Sequence, residues 1–164
     1  MIDVLLTGAN GQLGWEVARR AAAHGLILHA AGAAELDISD AQAVERAVHE
    51  LRPRVVVNAA AFTAVDRAES NAEAAFRVNR DGPAYLAAVC ARHDAALIHI
   101  STDYVFDGAR PGAYAEDDPI APLGVYGASK AAGEAAVRAA LPEHVILRTS
   151  WVYGAHGANF VKTM

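Results

Sequence analysis

Lysine is nearly missing from this chain: of 14 basic side chains in 164 residues, only Lys130 and Lys162 are lysines. Cysteine occurs once, as Cys90, which leaves no partner for an internal disulfide. The arginines are scattered without a basic run. With a net charge of −5, there is no electrostatic basis for sequence-independent contact with nucleic acid or acidic lipid. No apolar run reaches the roughly 18 residues needed to cross a bilayer, and no internal repeat or low-complexity tract is present. Met1 leads directly into a strand-like segment without a basic leader. None of the seven histidines stands at metal-ligand spacing from a second ligand, which argues against a structural zinc. Together these absences predict a cytoplasmic protein with neither a nucleic-acid nor a membrane partner.

What is present is a 54% hydrophobic chain in which short aliphatic runs alternate with Ala-rich segments of helical period. "IDVLL" (2–6), "LILHA" (26–30), "RVVVNA" (54–59), "ALIHIS" (96–101) and "HVILRTS" (144–150) read as strands buried on both faces. Helices are predicted over 12–24, 40–51, 71–93 and 125–140, the second opened by Ser39 or Asp40 and the last stopped before Pro142. The alternation predicts an α/β fold: a doubly wound parallel sheet in a three-layer α/β/α arrangement. The segment 106–124 is too long for a simple connector and is expected to face a ligand. Asn159 is placed to cap a new helix that has barely begun at Met164. Residues 1–164 are therefore expected to form one domain of a truncated protein.

Two motifs carry chemistry. Gly8, Gly11 and Gly14 follow the first strand and open the first helix. That spacing suits a sharp turn, a close backbone approach to a pyrophosphate and tight helix–sheet packing, with the helix N-terminus drawing the phosphates. After the second strand, "HAAGAAELD" has neither an acid at the strand end nor an arginine for a 2′-phosphate, and its nearest acids are Glu35 and Asp37, so NADH and NADPH both stay open. The second motif is "YGASK". Tyr126 and Lys130, four apart on a helix, share a face. A free tyrosine titrates at about 10; an ammonium about 6 Å away, at an effective dielectric of about 20, would stabilise the phenolate by roughly 3 kcal/mol. Tyr126 is thus a candidate proton donor and Lys130 its charge partner. Gly127 and Gly133, each unfavourable by about 1 kcal/mol in a helix, suggest a close approach to it.

With these motifs stand "NAAAFTAVDRAE" (58–69) and "STDYVFDG" (101–108), in order. The set resembles the extended short-chain dehydrogenase/reductase superfamily, across essentially the whole chain. The resemblance implies a Rossmann-type lobe followed by a smaller C-terminal substrate lobe, here largely missing, and a cytoplasmic oxidoreductase of nucleotide-sugar metabolism. The implied reaction is reduction of the C4 ketone of dTDP-4-dehydro-L-rhamnose, with NADPH or NADH as cofactor and a dTDP-sugar as substrate. It implies a Thr102, Tyr126, Lys130 catalytic set, with Asp103 and Trp151 joining Thr102 against the sugar nucleotide. Cofactor contacts would come from Gly8, Asn10, Gly11, Gln12, Leu13 and Gly14 at the pyrophosphate, Asp37 and Ile38 near the adenine, and Ala61, Phe62 and Thr63 along the cleft, besides Tyr126 and Lys130. Some members bind Mg²⁺ at an oligomer interface, and a homodimer is the implied assembly. From the residues alone, Asp66 and Asp37 can be read as helix caps, Thr102 as a turn residue and Trp151 as core; the cap is favoured for Asp66, and the site for Thr102 and Trp151, because ligands in open α/β sheets bind at the carboxyl ends of strands. Tyr104 stands where the superfamily's dehydratases carry a glutamate, which disfavours dehydration, and Thr102 stands where epimerases usually carry a serine. Gly124 departs from the polar residue common there. Two alternatives stay open: another nucleotide-sugar epimerase or reductase, and a non-catalytic nucleotide-binding subunit such as the regulatory subunit of methionine adenosyltransferase.

Overall fold

A computed structural model describes residues 2–164. Five parallel strands form one sheet in the order β2-β1-β3-β4-β5: β1 (Val4–Thr7), β2 (Leu28–Ala31), β3 (Val55–Asn58), β4 (Ala96–Thr102) and β5 (His144–Thr149). Each lies on an aliphatic run predicted to be a strand. The chain reverses direction across the sheet between β1 and β3, so their carboxyl ends flank a crevice, the usual ligand position in an open α/β sheet.

The two faces are covered unequally. Helices α2 (Ala41–Leu51), α5 (Gly82–Arg92) and α6 (Val125–Ala140) pack side by side on one face, over Leu5, Val56, Leu97 and Ile146. On the other, α1 (Gln12–Ala21) packs on β1 and β2 alone. Strand residues alternate between faces, and on β5 the alternates Val145 and Leu147 are 49% and 46% exposed. The expected three layers are present, but the second outer layer is one helix deep among the described residues.

Asp40 opens α2, its carboxylate accepting from the Gln42 and Ala43 amides. α6 has the bounds predicted for it. The helix predicted over 71–93 is instead three pieces: α4 (Ala72–Phe76), a π-helical turn (Arg77–Asp81) and α5; a short helix outside that range, α3 (Val65–Ser70), precedes them. Asn71 leaves helical geometry at φ −135° and ψ 43°, which separates α3 from α4. Pro83, lacking an N–H, cannot donate to the Asn79 carbonyl four residues back, and the turn widens there. Asp66 lies in the first turn of α3 but caps nothing. Asn159 does occupy the N-cap position of a short α7 (Phe160–Thr163), yet its side chain bonds elsewhere.

Candidate active site

The glycine loop turns at Gly8, whose φ of +70° is left-handed and which lies flat on the backbone of Ala59 and Ala60 just past β3; a Cβ would sit 2.5 Å from the Ala60 nitrogen. Gly14 lets α1 settle on the loop, since a Cβ there would come within 2.2 Å of the Gly8 carbonyl. Gly11 differs: its missing Cβ faces open space, bounded only by the Gly8 carbonyl at 3.4 Å. It is the N-cap of α1 and offers no side-chain cap, so the first amides of the helix stay available to an anion. This cradle fits the pyrophosphate of a dinucleotide. Its rim is Asn10, whose amide group packs against Gly32, together with Gln12 and Leu13.

Residues 154–160 fold back onto this loop. His156 stacks on Trp15 with ring centroids 4.8 Å apart, its Nε2 lies 3.3 Å from the Asn10 carbonyl, and Asn159 donates to Gln12 Oε1 at 3.1 Å.

Ala61, Phe62 and Thr63 lie in the segment that follows the carboxyl end of β3. The backbone of Phe62 is clamped by Asn79, whose Oδ1 accepts from its amide at 2.8 Å and whose Nδ2 donates to its carbonyl at 3.0 Å. The same Nδ2 donates to Ser129 Oγ at 3.0 Å, and Ser129 donates to the Tyr126 carbonyl at 2.7 Å. One buried asparagine therefore ties this segment to the helix of the tyrosine. Gly133 rests on the Asn79 carbonyl and Gly127 on the Tyr104 carbonyl, so what approaches α6 closely is the protein's own backbone. At its N-terminus, where Gly124 offers no cap, the Glu69 carboxylate accepts from the Val125 amide at 2.8 Å.

Tyr126 and Lys130 both reach the carboxyl end of β4. The Lys130 ammonium, in a residue only 2% exposed, donates to the Ile100 carbonyl at 2.6 Å. The Thr102 hydroxyl interacts with the Tyr126 phenol, accepts from the Tyr104 amide and donates to Asp103. Thr102 is thus both a turn residue and a neighbour of the tyrosine. Asp103 in turn accepts from Ser150. A cavity of about 440 Å³ opens beside this group, lined by Asp103, Phe106, Tyr114 and the end of β5.

The expected charge coupling is not found. Burial raises the Tyr126 phenol above its ordinary value; Thr102 opposes this and Asp103 adds to it, while the Lys130 ammonium, held by Ile100, has no part. Burial also lowers Lys130, to about 8, against the pull of Glu134. The phenol therefore stays protonated at neutral pH.

Trp151 is not core. It is 73% exposed with a left-handed φ of +53°, edge-on to Phe160 at the end of β5. Backbone strain at an exposed aromatic is better matched to a ligand surface than to packing. Asp37 and Ile38 have structural occupations: the Asp37 carboxylate accepts from the Ser39 amide and hydroxyl, and the Ile38 side chain is buried under Gly82. The acid nearest the end of β2 is Glu35, which accepts from the Gly32 amide at 2.8 Å.

The sequence of the family described as "RmlD substrate binding domain" matches residues 2–164. The chain belongs to that family. A dTDP-4-dehydrorhamnose reductase of Aggregatibacter actinomycetemcomitans is 47% identical over 165 residues, covering 100% of this chain and 56% of its own length. Among solved structures, a dTDP-4-dehydrorhamnose reductase of Clostridium acetobutylicum superposes with a TM-score of 0.96 at 41% identity, covering 99% of this chain and 57% of that one. One from Bacillus anthracis, in complex with NADP, has the same TM-score and identity, with 58% of that chain covered. The chain spans about half the length of the curated relatives it matches. Among the described residues no three His, Cys, Asp or Glu side chains gather as metal ligands, and no helix is long and apolar enough to cross a membrane.

Proposed function

We propose that this chain carries the dinucleotide-binding and catalytic part of a reductase that converts dTDP-4-dehydro-L-rhamnose to dTDP-L-rhamnose with NADH or NADPH. The observation that carries this reading is the convergence of Thr102, Tyr126 and Lys130 on the end of β4, across the crevice from an uncapped helix N-terminus. The relatives named dTDP-4-dehydrorhamnose reductase supply the substrate class. A bound reduced dinucleotide supplies the hydride. Gly11, Gln12 and Leu13 hold its pyrophosphate, and the Ala61–Thr63 wall, fixed by Asn79, orients it.

Tyr126, kept protonated by its burial, donates the proton to the ketone oxygen. Thr102 hydrogen-bonds that oxygen as negative charge develops on it. Lys130, one helical turn on, holds the nicotinamide ribose through its ammonium. Asp103 and Trp151 bound the sugar-nucleotide side, the tryptophan presenting an exposed ring. Asp37 and Ile38 meet the adenine through backbone rather than side chain. A homodimer is the assembly proposed.

The test separates binding from chemistry. Tyr126→Phe should leave NADPH affinity, read by nicotinamide fluorescence, within about threefold of the parent. It should cut loss of NADPH absorbance with the keto sugar by at least about 100-fold. Full turnover in the variant rejects the tyrosine as donor, and absence of dinucleotide binding by the parent rejects the cofactor half.

A further inference from the structure

Glu134 continues the row of Tyr126 and Lys130, one further turn along α6, and is fully buried. Its carboxylate is saturated. Oε1 accepts from Ser101 Oγ at 2.5 Å and Arg148 Nε at 2.9 Å, and Oε2 accepts from Arg148 Nη2 at 2.7 Å and Arg138 Nη2 at 3.0 Å. Ser101 and Arg148 are paired residues of β4 and β5, so this one carboxylate bridges the catalytic helix to two strands at the level of the site. Arg148 extends the bridge outward, its guanidinium lying over the Phe106 ring and Nη1 donating to the Glu116 carbonyl in the loop beside the cavity.

We propose that Glu134 is a positioning residue for the Tyr126–Lys130 pair: its locked carboxylate seats α6 against β4 and β5 and supplies the negative charge that keeps the buried Lys130 ammonium charged. The inference deepens the reductase reading and rests on it for the role of Lys130. The groups to weigh about Lys130 are Glu134 and His99, which interact with it, Arg138 and Arg148, which bond Glu134, Tyr126 one turn back on α6, and Asp103 in the turn after β4. His99 is buried and neutral, and Asp103 is turned to Ser150 and Thr102. Glu134 is the anion that acts on Lys130. Without it, the two arginines remain as unbalanced cations beside the ammonium, and deprotonation is favoured.

The scarcity of lysine makes the test direct. Protein labelled with ¹³C at lysine yields two side-chain signals, and Lys162→Arg assigns them. Following the Lys130 Cε shift with pH reads its ionisation without reference to turnover. The parent midpoint is expected near about 8. Glu134→Gln should lower it by about one pH unit or more, Glu134→Asp should restore most of that shift, and Arg148→Gln should raise it. A midpoint unmoved in Glu134→Gln overturns the proposal. Should that variant fold poorly, Arg148→Gln decides instead, and failure of its midpoint to rise overturns the proposal as well. Retained turnover in Tyr126→Phe would remove the reductase reading and leave this titration standing.

Discussion

Beneath α2, α5 and α6, side chains that leave the sheet meet partners: Thr7 donates to Asn58 at 2.8 Å, the Asn58 amide bonds His99, and Ser101 and Arg148 close on Glu134. On the opposite face the same strands present Val145 and Leu147 to solvent, with α1 alone packed over β1 and β2. One alternation of side chains thus yields a face where buried polar groups bond one another, with His99 Nε2 left unpaired, and a face that is apolar and open at β5. The chemistry sits with the former because a group buried there is held by partners, and its charge is set by neighbours rather than by water.

The largest expected test of that contrast is acid. Asn58 Oδ1 accepts from Thr7 and from the Ala60 amide, so its Nδ2 donates to His99 Nδ1; the His99 hydrogen is then on Nε2, which is buried without a partner. Burial and the Lys130 charge lower His99 to about 3. The unfolded chain takes up this proton near the ordinary value of 6.5 and the folded chain only near 3, so stability falls as pH drops between the two, by roughly 5 kcal/mol in all. Urea unfolding at stepped pH should show a steeper acid decline in the parent than in His99→Gln, and parallel curves would break the contrast. Next in size is Gly133→Ala. It places a methyl 2.1 Å from the Asn79 carbonyl and should cost about 3 kcal/mol by urea unfolding, with loss of dinucleotide affinity as α6 lifts off the π-helical turn. Smallest is Leu147→Thr on the open face, expected to change stability by less than about 0.5 kcal/mol; a penalty approaching that of Gly133→Ala would mean that this face is not open.

How much of this was legible beforehand follows the range of the interactions. The five strands and α6 announce themselves through local aliphatic runs and Ala-rich spacing. The helix over 71–93 does so only in part, because its π-helical interruption depends on a proline whose missing N–H frees a carbonyl four residues back, and α3 before it is set off by one asparagine leaving helical geometry. "NRDGP" held that signal, since a Gly-Pro pair inside a helical pattern marks an interruption. Tyr126 and Lys130 were visible as a spacing, but the direction of the tyrosine's shift was not: it is set by burial of the phenol among elements distant in sequence, while the lysine is held by Ile100, 30 residues away. Asn79, Glu134 and His99 carried no local signal. Each looks like an ordinary helix or strand residue until partners from other elements, Phe62 and Ser129, Ser101 and Arg148, or Asn58, are brought against it.

Among the described residues β5 is the outermost strand on its side of the sheet, and its exposed valine and leucine flank a row of backbone amides and carbonyls that no further strand pairs. Such a border is a template: any extended segment that reaches it gains a ladder of bonds and dry contact in one step. An extended segment laid along β5 would thus bond the strand whose Arg148 also anchors the buried carboxylate.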